Sequence, residues 1–317
     1  MGVHIYVYTY NELFVFENPL PNMKLRSVKA LQYADMMDMG GMPVRQPLPS
    51  ATIEHADPFL LLHHHQGKVQ AGRHPREVGV GPHPHRGFSP VTFIFKGDVH
   101  HRDSRGNSAV VAAGGVQWMD AGMGVMHSER PSAALAKTGG EQEIVQLWVN
   151  TPAAHKMDQP NYQALQKEDI PVVQADKGEG TIQVVAGRYA GITGPARTKL
   201  QLLMLRADFS VDAQHTFEIP THFHTLLYVV KGQIHVEKYG PVQALHMLEF
   251  QDDGEAIQLS TDQATTFLIL AAEPLNEPIV QYGPFVMRNQ TEILQAMRDY
   301  QMGKMGILIE EFEEQTS

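Results

Sequence analysis

Apolar positions along the chain come in short runs, not in long helical stripes. Between about Ala51 and Asn150, stretches of Val, Ile, Phe and Thr alternate with Gly, Asp, Asn and Pro roughly every 8–12 residues, the rhythm of antiparallel strands joined by tight turns. Val91-Thr92-Phe93-Ile94-Phe95 followed by Lys96-Gly97-Asp98 is one strand and its turn. Val110-Val111, ahead of Ala112 to Gly115, is another, and Ile144 to Val149 a third. A second strand-rich region runs from about Thr181 to Leu270. Between the two, Thr151 to Val173 is polar, carries Pro160 and Pro171, and reads as a linker. The period changes only near the end: Ile293, Leu294, Met297 and Tyr300 fall at helical spacing within Gln290 to Gln301, with Thr291 as a cap and Gly303 as the stop. The expected fold is all-β, with two sandwich-like or barrel domains and a C-terminal helix.

The two strand-rich regions repeat each other. Phe93-Ile94-Phe95-Lys96-Gly97-Asp98-Val99-His100 aligns at an offset of 135 with Tyr228-Val229-Val230-Lys231-Gly232-Gln233-Ile234-His235. A His-x-His pair precedes each, His83/His85 and His222/His224, at an offset of 139. One fold used twice explains this, and it sets the expected boundaries. They are an N-terminal extension over 1–22, a first barrel over 23–154, a linker over 155–175, a second barrel over 176–288, and a helix with an acidic tail over 289–317. The aromatic-rich segment before Met23 is unlike the rest of the chain, so Met23 is the expected start of the folded part.

Composition removes several functions. A net charge of −10 and no long Lys/Arg run make direct nucleic-acid binding unexpected. The absence of cysteine excludes disulfides, thiolate nucleophiles and cluster ligation. Apolar runs such as Phe267 to Ala272 are far shorter than the roughly 20 residues that span a bilayer, and the N-terminus does not read as a signal peptide. A cytoplasmic protein is expected. What stands out is the content of 17 histidines.

His83 and His85 lie two apart, so on an extended strand both imidazoles share one face, and the same parity pairs His127 with Glu129. Two facing strands would aim three imidazoles and a carboxylate at one interior point. That set suits one mononuclear divalent metal with up to two coordination positions open, nearer to an open iron-oxygenase site than to a closed structural zinc site. Gly122 and Gly124 would let the second strand approach.

His83-Pro84-His85-Arg86-Gly87-Phe88, then His101-Arg102-Asp103-Ser104, Gln117-Trp118-Met119 and His127-Ser128-Glu129, resemble the pirin family of bicupins. So do Asp57-Pro58-Phe59-Leu60-Leu61-Leu62, His155-Lys156-Met157 and the stretch Arg298-Asp299-Tyr300 to Gly303. The resemblance implies two stacked cupin barrels and one metal in the first, with His83, His85, His127 and Glu129 as its ligands. Iron(II) is the expected ion, ahead of nickel, cobalt, manganese, copper and zinc. It implies a quercetin 2,3-dioxygenase activity, in which a flavonol-like enolic substrate and O2 react with release of CO. Glu129 would then stay on the metal or swing off to accept the substrate's proton, with Phe88 and Trp118 walling the pocket. The alternative that it carries is a non-catalytic, iron-dependent redox regulator that binds a transcription factor or metabolic enzyme, nuclear as well if eukaryotic. One departure stands out: Ser89-Pro90 follows Arg-Gly-Phe where the family commonly has Glu, removing a charge near the expected mouth of the site.

The remaining candidates read as structural. The second barrel is expected to be metal-free: His222 and His224 lack a downstream His-x-Glu, leaving His235 or Glu237 as their only extra ligands. His63-His64-His65 reads as a solvated loop, His100 as a strand or turn residue, the methionines from Met36 to Met42 as packing or loop, and Glu310 to Glu314 as a frayed tail. A monomer is expected.

Overall fold

The computed structural model describes residues 23–312, so the extension expected over 1–22 lies outside the described residues. The first half of the chain contributes β1 (Val28–Tyr33), β2 (Asp35–Asp38), β3 (Pro43–Leu48), β4 (Phe59–Val69), β5 (Val80–His85) and β6 (Phe88–Lys96). They are followed by β7 (Asp98–Asp103), β8 (Ser108–Ala112), β9 (Val116–Asp120), β10 (Val125–Arg130), β11 (Gly140–Asn150) and β12 (Asn161–Leu165). A seven-stranded sheet in the order β12-β9-β6-β11-β4-β3-β2 faces a four-stranded sheet β5-β10-β7-β8. The second half repeats the plan with another seven-stranded and another four-stranded sheet. The fold is therefore two antiparallel cupin barrels. The repeated Lys-Gly turns close equivalent hairpins. Gly97 and Gly232 sit at φ +71° and +83°, and a Cβ there would lie 2.7 Å and 2.4 Å from the carbonyls of Glu141 and Ala264.

The strands do not respect the boundaries expected from the sequence. β1 leaves the first barrel and pairs with His246–Phe250 at the edge of the second barrel's large sheet. The 155–175 segment is not an irregular linker. Its β12 pairs with β9 in the first barrel, and Val172–Gln174 pairs with Gly180–Ala186 in the second. Polar, proline-bearing composition is compatible with short edge strands, which need apolar residues on only one face. The exchange ties the barrels together.

The two seven-stranded sheets pack face to face over a shared apolar core. Phe93, Trp118, Val145 and Leu147 come from one side, and Met204, Leu226, Tyr228 and Leu270 from the other. Burying each such side chain contributes about 1.5–3 kcal/mol. The 63–65 histidines belong here, not in a loop: they are part of β4, and His64 is buried. Its Nδ1 meets the Tyr228 hydroxyl at 2.8 Å across the barrel interface, and its Nε2 meets Glu143 Oε1 at 3.2 Å. A run of three histidines looks solvated because imidazole is polar, but a strand between two others offers each ring a partner.

Glu143 gives this interface an acid limit. Burial raises its carboxyl, but hydrogen bonds from His64 and Gln66 and the nearby charges outweigh that and hold it at about 2, against 4.5 for a free glutamate. Between those values the folded state binds fewer protons than the unfolded one. Its stabilisation is therefore complete above about pH 4.5 and is lost as pH falls toward 2. Glu143→Gln is expected to remove ~3 kcal/mol of this acid dependence. Denaturant midpoints followed from neutral to acid pH check it, and parallel curves for the two proteins would reject it.

The C-terminal helix, Gln290–Gln301, forms where expected, but Asn289 caps it, its side chain accepting from the Glu292 N–H. The buried face is Ile293, Ala296 and Asp299, while Leu294 and Tyr300 are exposed. Asp299 Oδ2 accepts from Arg86 Nη1 at 2.9 Å, fastening the helix beside β5. Beyond it the chain crosses the outer face of the small sheet, and its described acidic residues are not all frayed. Glu310 accepts two hydrogen bonds from the Arg130 guanidinium, at 2.7 and 2.9 Å, and Phe312 lies 5.0 Å from the Arg102 guanidinium. Among the described residues no helix is long and apolar enough to cross a membrane.

Candidate metal centre

β5 and β10 pair antiparallel with His127 opposite His83 and Val125 opposite His85. That register brings the three imidazoles to the inner face of the small sheet. Their ligand atoms lie within 4.8 Å of one another, with ring centroids 4.2–4.9 Å apart. A register shift after His127 sets Glu129 opposite Val80. The Glu129 carboxylate is not among the three clustered groups. It is held by Gln117 Nε2 at 3.1 Å and Thr92 Oγ1 at 3.3 Å on Oε1, and by Gln146 Nε2 at 2.8 Å on Oε2. It lines a cavity of about 130 Å³, together with Gln146, Val80, Ile144, Met39 and Met42.

The donor set fits a metal cation. His83 Nδ1 meets the Gly81 carbonyl at 2.8 Å, and since a carbonyl only accepts, that nitrogen carries the proton and Nε2 presents a lone pair. Among the described residues His127 Nε2 and His85 Nδ1 are buried with no hydrogen-bond partner, a costly arrangement that a cation would relieve. Burial, reinforced by the neighbouring histidines, pushes the pKa of His85 and His127 well down, which keeps both imidazoles in the neutral form that metals bind.

Phe88 is fully buried 5.0 Å from the His85 ring. Trp118 does not wall the cavity. It stands opposite Val91 on β6, its side chain is part of the core between the barrels, and its indole N–H donates to Asp120. Adjacent residues of a strand face opposite ways, so Gln117, not Trp118, reaches Glu129. Ser89 points the same way as Trp118: its hydroxyl donates to Asp120 Oδ1 at 2.7 Å, so no charge is missing from the mouth. Pro90 is accommodated because the ladder to β9 begins only at Val91.

Several residues at the site escaped the sequence reading. Trp148, opposite Pro90 on β11, packs 5.3 Å from the His85 ring and 4.3 Å from Phe88. Gln146 and Thr92 face each other across the same ladder. Alternation along each strand was visible, but which face looks inward depends on pairing that no local pattern encodes. His101 carried a signal, since it shares parity with Asp103, and both are buried on the inner face of β7.

Residues 41–149 match the Pirin family, and residues 204–306 match the Pirin C-terminal cupin domain. A provisionally assigned quercetin 2,3-dioxygenase of Pseudomonas aeruginosa is 38% identical over 265 residues, covering 83% of this chain and 92% of its own. The chain belongs to the pirin family. Human pirin is 33% identical over 276 residues, covering 84% of this chain and 89% of its own. The crystal structure of a quercetin 2,3-dioxygenase from Acinetobacter baumannii superposes with a TM-score of 0.83 at 35% identity, covering 90% of this chain and all of that one. Within this pirin the barrels differ inside. The second is filled by Phe209, Phe217 and Phe267, and its His224 is committed to Glu249 at 2.8 Å.

Proposed function

We propose that this pirin is a metal-dependent dioxygenase that opens flavonols such as quercetin with O2 and releases CO. Its metal is iron(II), held by His83, His85, His127 and Glu129. The observation that carries the reading is the convergence of three imidazoles, two of them with buried nitrogens unpartnered among the described residues, in the barrel whose Glu129 carboxylate is clamped by two glutamines. The names of the similar Pseudomonas and Acinetobacter proteins support it. A bound metal supplies the Lewis acidity and the redox partner for O2.

The chain's own residues do the rest. Glu129 takes the proton of the flavonol's 3-hydroxyl at a carboxylate oxygen, while Gln117 and Gln146 keep that carboxylate aimed. Val80, Ile144, Met39 and Met42 supply apolar walls that exclude water. The cavity of about 130 Å³ is smaller than the roughly 300–1,000 Å³ that drug-sized ligands occupy. Entry of a flavonol therefore requires this cavity to widen, and Met39 and Met42 line it from the turn between β2 and β3, where Gly40 and Gly41 have positive φ.

The test is anaerobic titration of the iron-loaded protein with quercetin, followed by admission of O2. The wild type is expected to consume quercetin with release of CO. Glu129→Gln should lower the rate at least ~100-fold, as loss of a positioned base does. If the protein loads iron but neither binds nor consumes quercetin, the reading fails in favour of an iron-dependent regulator that acts through a protein partner.

A further inference from the structure

We infer that Asp103 and His101 form a buried hydrogen-bonded relay that fixes the ring tautomer of His127, so that a lone pair on its Nε2 faces His83 and His85. The inference rests on the reading of these histidines as metal ligands and adds two positioning residues that act through one of them.

Asp103 has both carboxylate oxygens engaged. Its Oδ1 accepts from the Arg105 N–H at 2.8 Å and the Asn107 N–H at 3.0 Å. Its Oδ2 accepts from Asn107 Nδ2 at 2.8 Å and lies 3.1 Å from His101 Nε2. An ionised carboxylate can only accept, so His101 Nε2 carries a hydrogen. His101 Nδ1 lies 3.5 Å from His127 Nδ1, the one nitrogen of His127 with a partner among the described residues, so the His127 hydrogen is satisfied only there, with His101 Nδ1 as its acceptor. His127 Nδ1 is therefore the donor. Its Nε2 is left bare, a buried nitrogen that has no partner among the described residues.

The relay is held in place. His101 is buried, and its ring lies flat on Tyr162, with centroids 3.8 Å apart and planes 5° apart. The Tyr162 hydroxyl donates to Gln117 Oε1 at 3.0 Å, and Gln117 in turn donates to Glu129. The same scaffold thus orients an imidazole and the carboxylate. His83 reaches the equivalent tautomer more simply, through the Gly81 carbonyl. A ligand histidine whose outer nitrogen is held by a carboxylate is a recurrent arrangement, and here a second histidine is interposed.

Asp103→Asn separates this role from simple packing. The amide oxygen can keep the Arg105 and Asn107 backbone N–H bonds, while its NH2 group faces His101 Nε2 and the Asn107 side-chain amide, which turns over to present its oxygen. That would make Nε2 the acceptor and Nδ1 the donor, and would move the His127 proton onto Nε2, where it blocks the metal. Nitrogen NMR of the metal-free protein should show His127 protonated on Nδ1 in the wild type and on Nε2 in Asp103→Asn. Titration with cobalt(II), followed by its visible absorption, should show affinity about 10–100-fold weaker in the variant. His101→Phe keeps the stack on Tyr162 but removes the acceptor, and should weaken cobalt by a similar factor. A wild-type His127 protonated on Nε2, or wild-type cobalt affinity in Asp103→Asn, overturns the relay. Cobalt binding that survives His83→Ala/His85→Ala overturns the ligand reading instead, and the NMR result still decides the relay because it needs no metal.

Discussion

His127→Ala is expected to weaken metal binding by more than ~100-fold, beyond what loss of an outer hydrogen-bond partner causes, and to abolish flavonol turnover with it. The reason is positional. His127 stands opposite His83 in the β5–β10 ladder, between the other two imidazoles and the Asp103–His101 pair. The effect on stability should have two parts. In the wild type, saturating metal at about 100 times its dissociation constant adds about 2.7 kcal/mol, and this shift should vanish in the variant. The metal-free variant should lose stability as well, because the substitution leaves a cavity and strips the buried His101 Nδ1 of its donor. Thermal melts of both proteins with and without metal test both effects. A variant that keeps the metal-induced shift would refute the site.

Gly87→Ala is expected to cost about 3–5 kcal/mol, placing it among the most damaging single changes in the chain. Gly87 sits between the His85 and Phe88 strands at φ +84°, and an added Cβ would lie 2.1 Å from the Val286 carbonyl and 2.9 Å from Met287 Sδ. Its own carbonyl accepts from the buried Lys156 ammonium, which also bonds Asn150 Oδ1 and the Val286 carbonyl. Forcing these backbones apart loosens the strand that bears His85 and detaches the Phe285–Met287 strand from it. Gly106→Ala is the control: φ there is +89°, but nothing lies within 4 Å of the added carbon. The control should lose only about 1 kcal/mol, from backbone conformation alone. Denaturant unfolding of both variants measures the difference. Equal losses would show that conformation, not contact with Val286, makes Gly87 necessary.

Both predictions depend on contacts between segments far apart in the chain, and such contacts were least visible in the sequence. The strand rhythm, the duplicated Lys-Gly hairpin and the helix over Gln290–Gln301 could be read directly, since each is a local period or a turn residue. Trp118 could not be placed correctly, because alternation says that it and Gln117 face opposite ways but not which of them faces in. Nor could the partner of β1, whose Val28 stands opposite Phe250 in the other barrel.

The pairing of His83 with His85 and of His127 with Glu129, and the use of one fold twice, can be read along the chain. Side-chain direction in a strand is a matter of parity, and parity is written in the numbering. The convergence of the three imidazoles, with Glu129 drawn aside to Gln117 and Gln146, arises only when distant strands meet. So does the contrast between a first barrel that is polar inside and a second that is packed. The positions of Thr92 and His101 at the 135 offset are taken by Leu227 and Val236 in the filled barrel. Convergence depends on strand register and on a bulge, and both are set by the packing of distant strands, whose free energy no single segment contains.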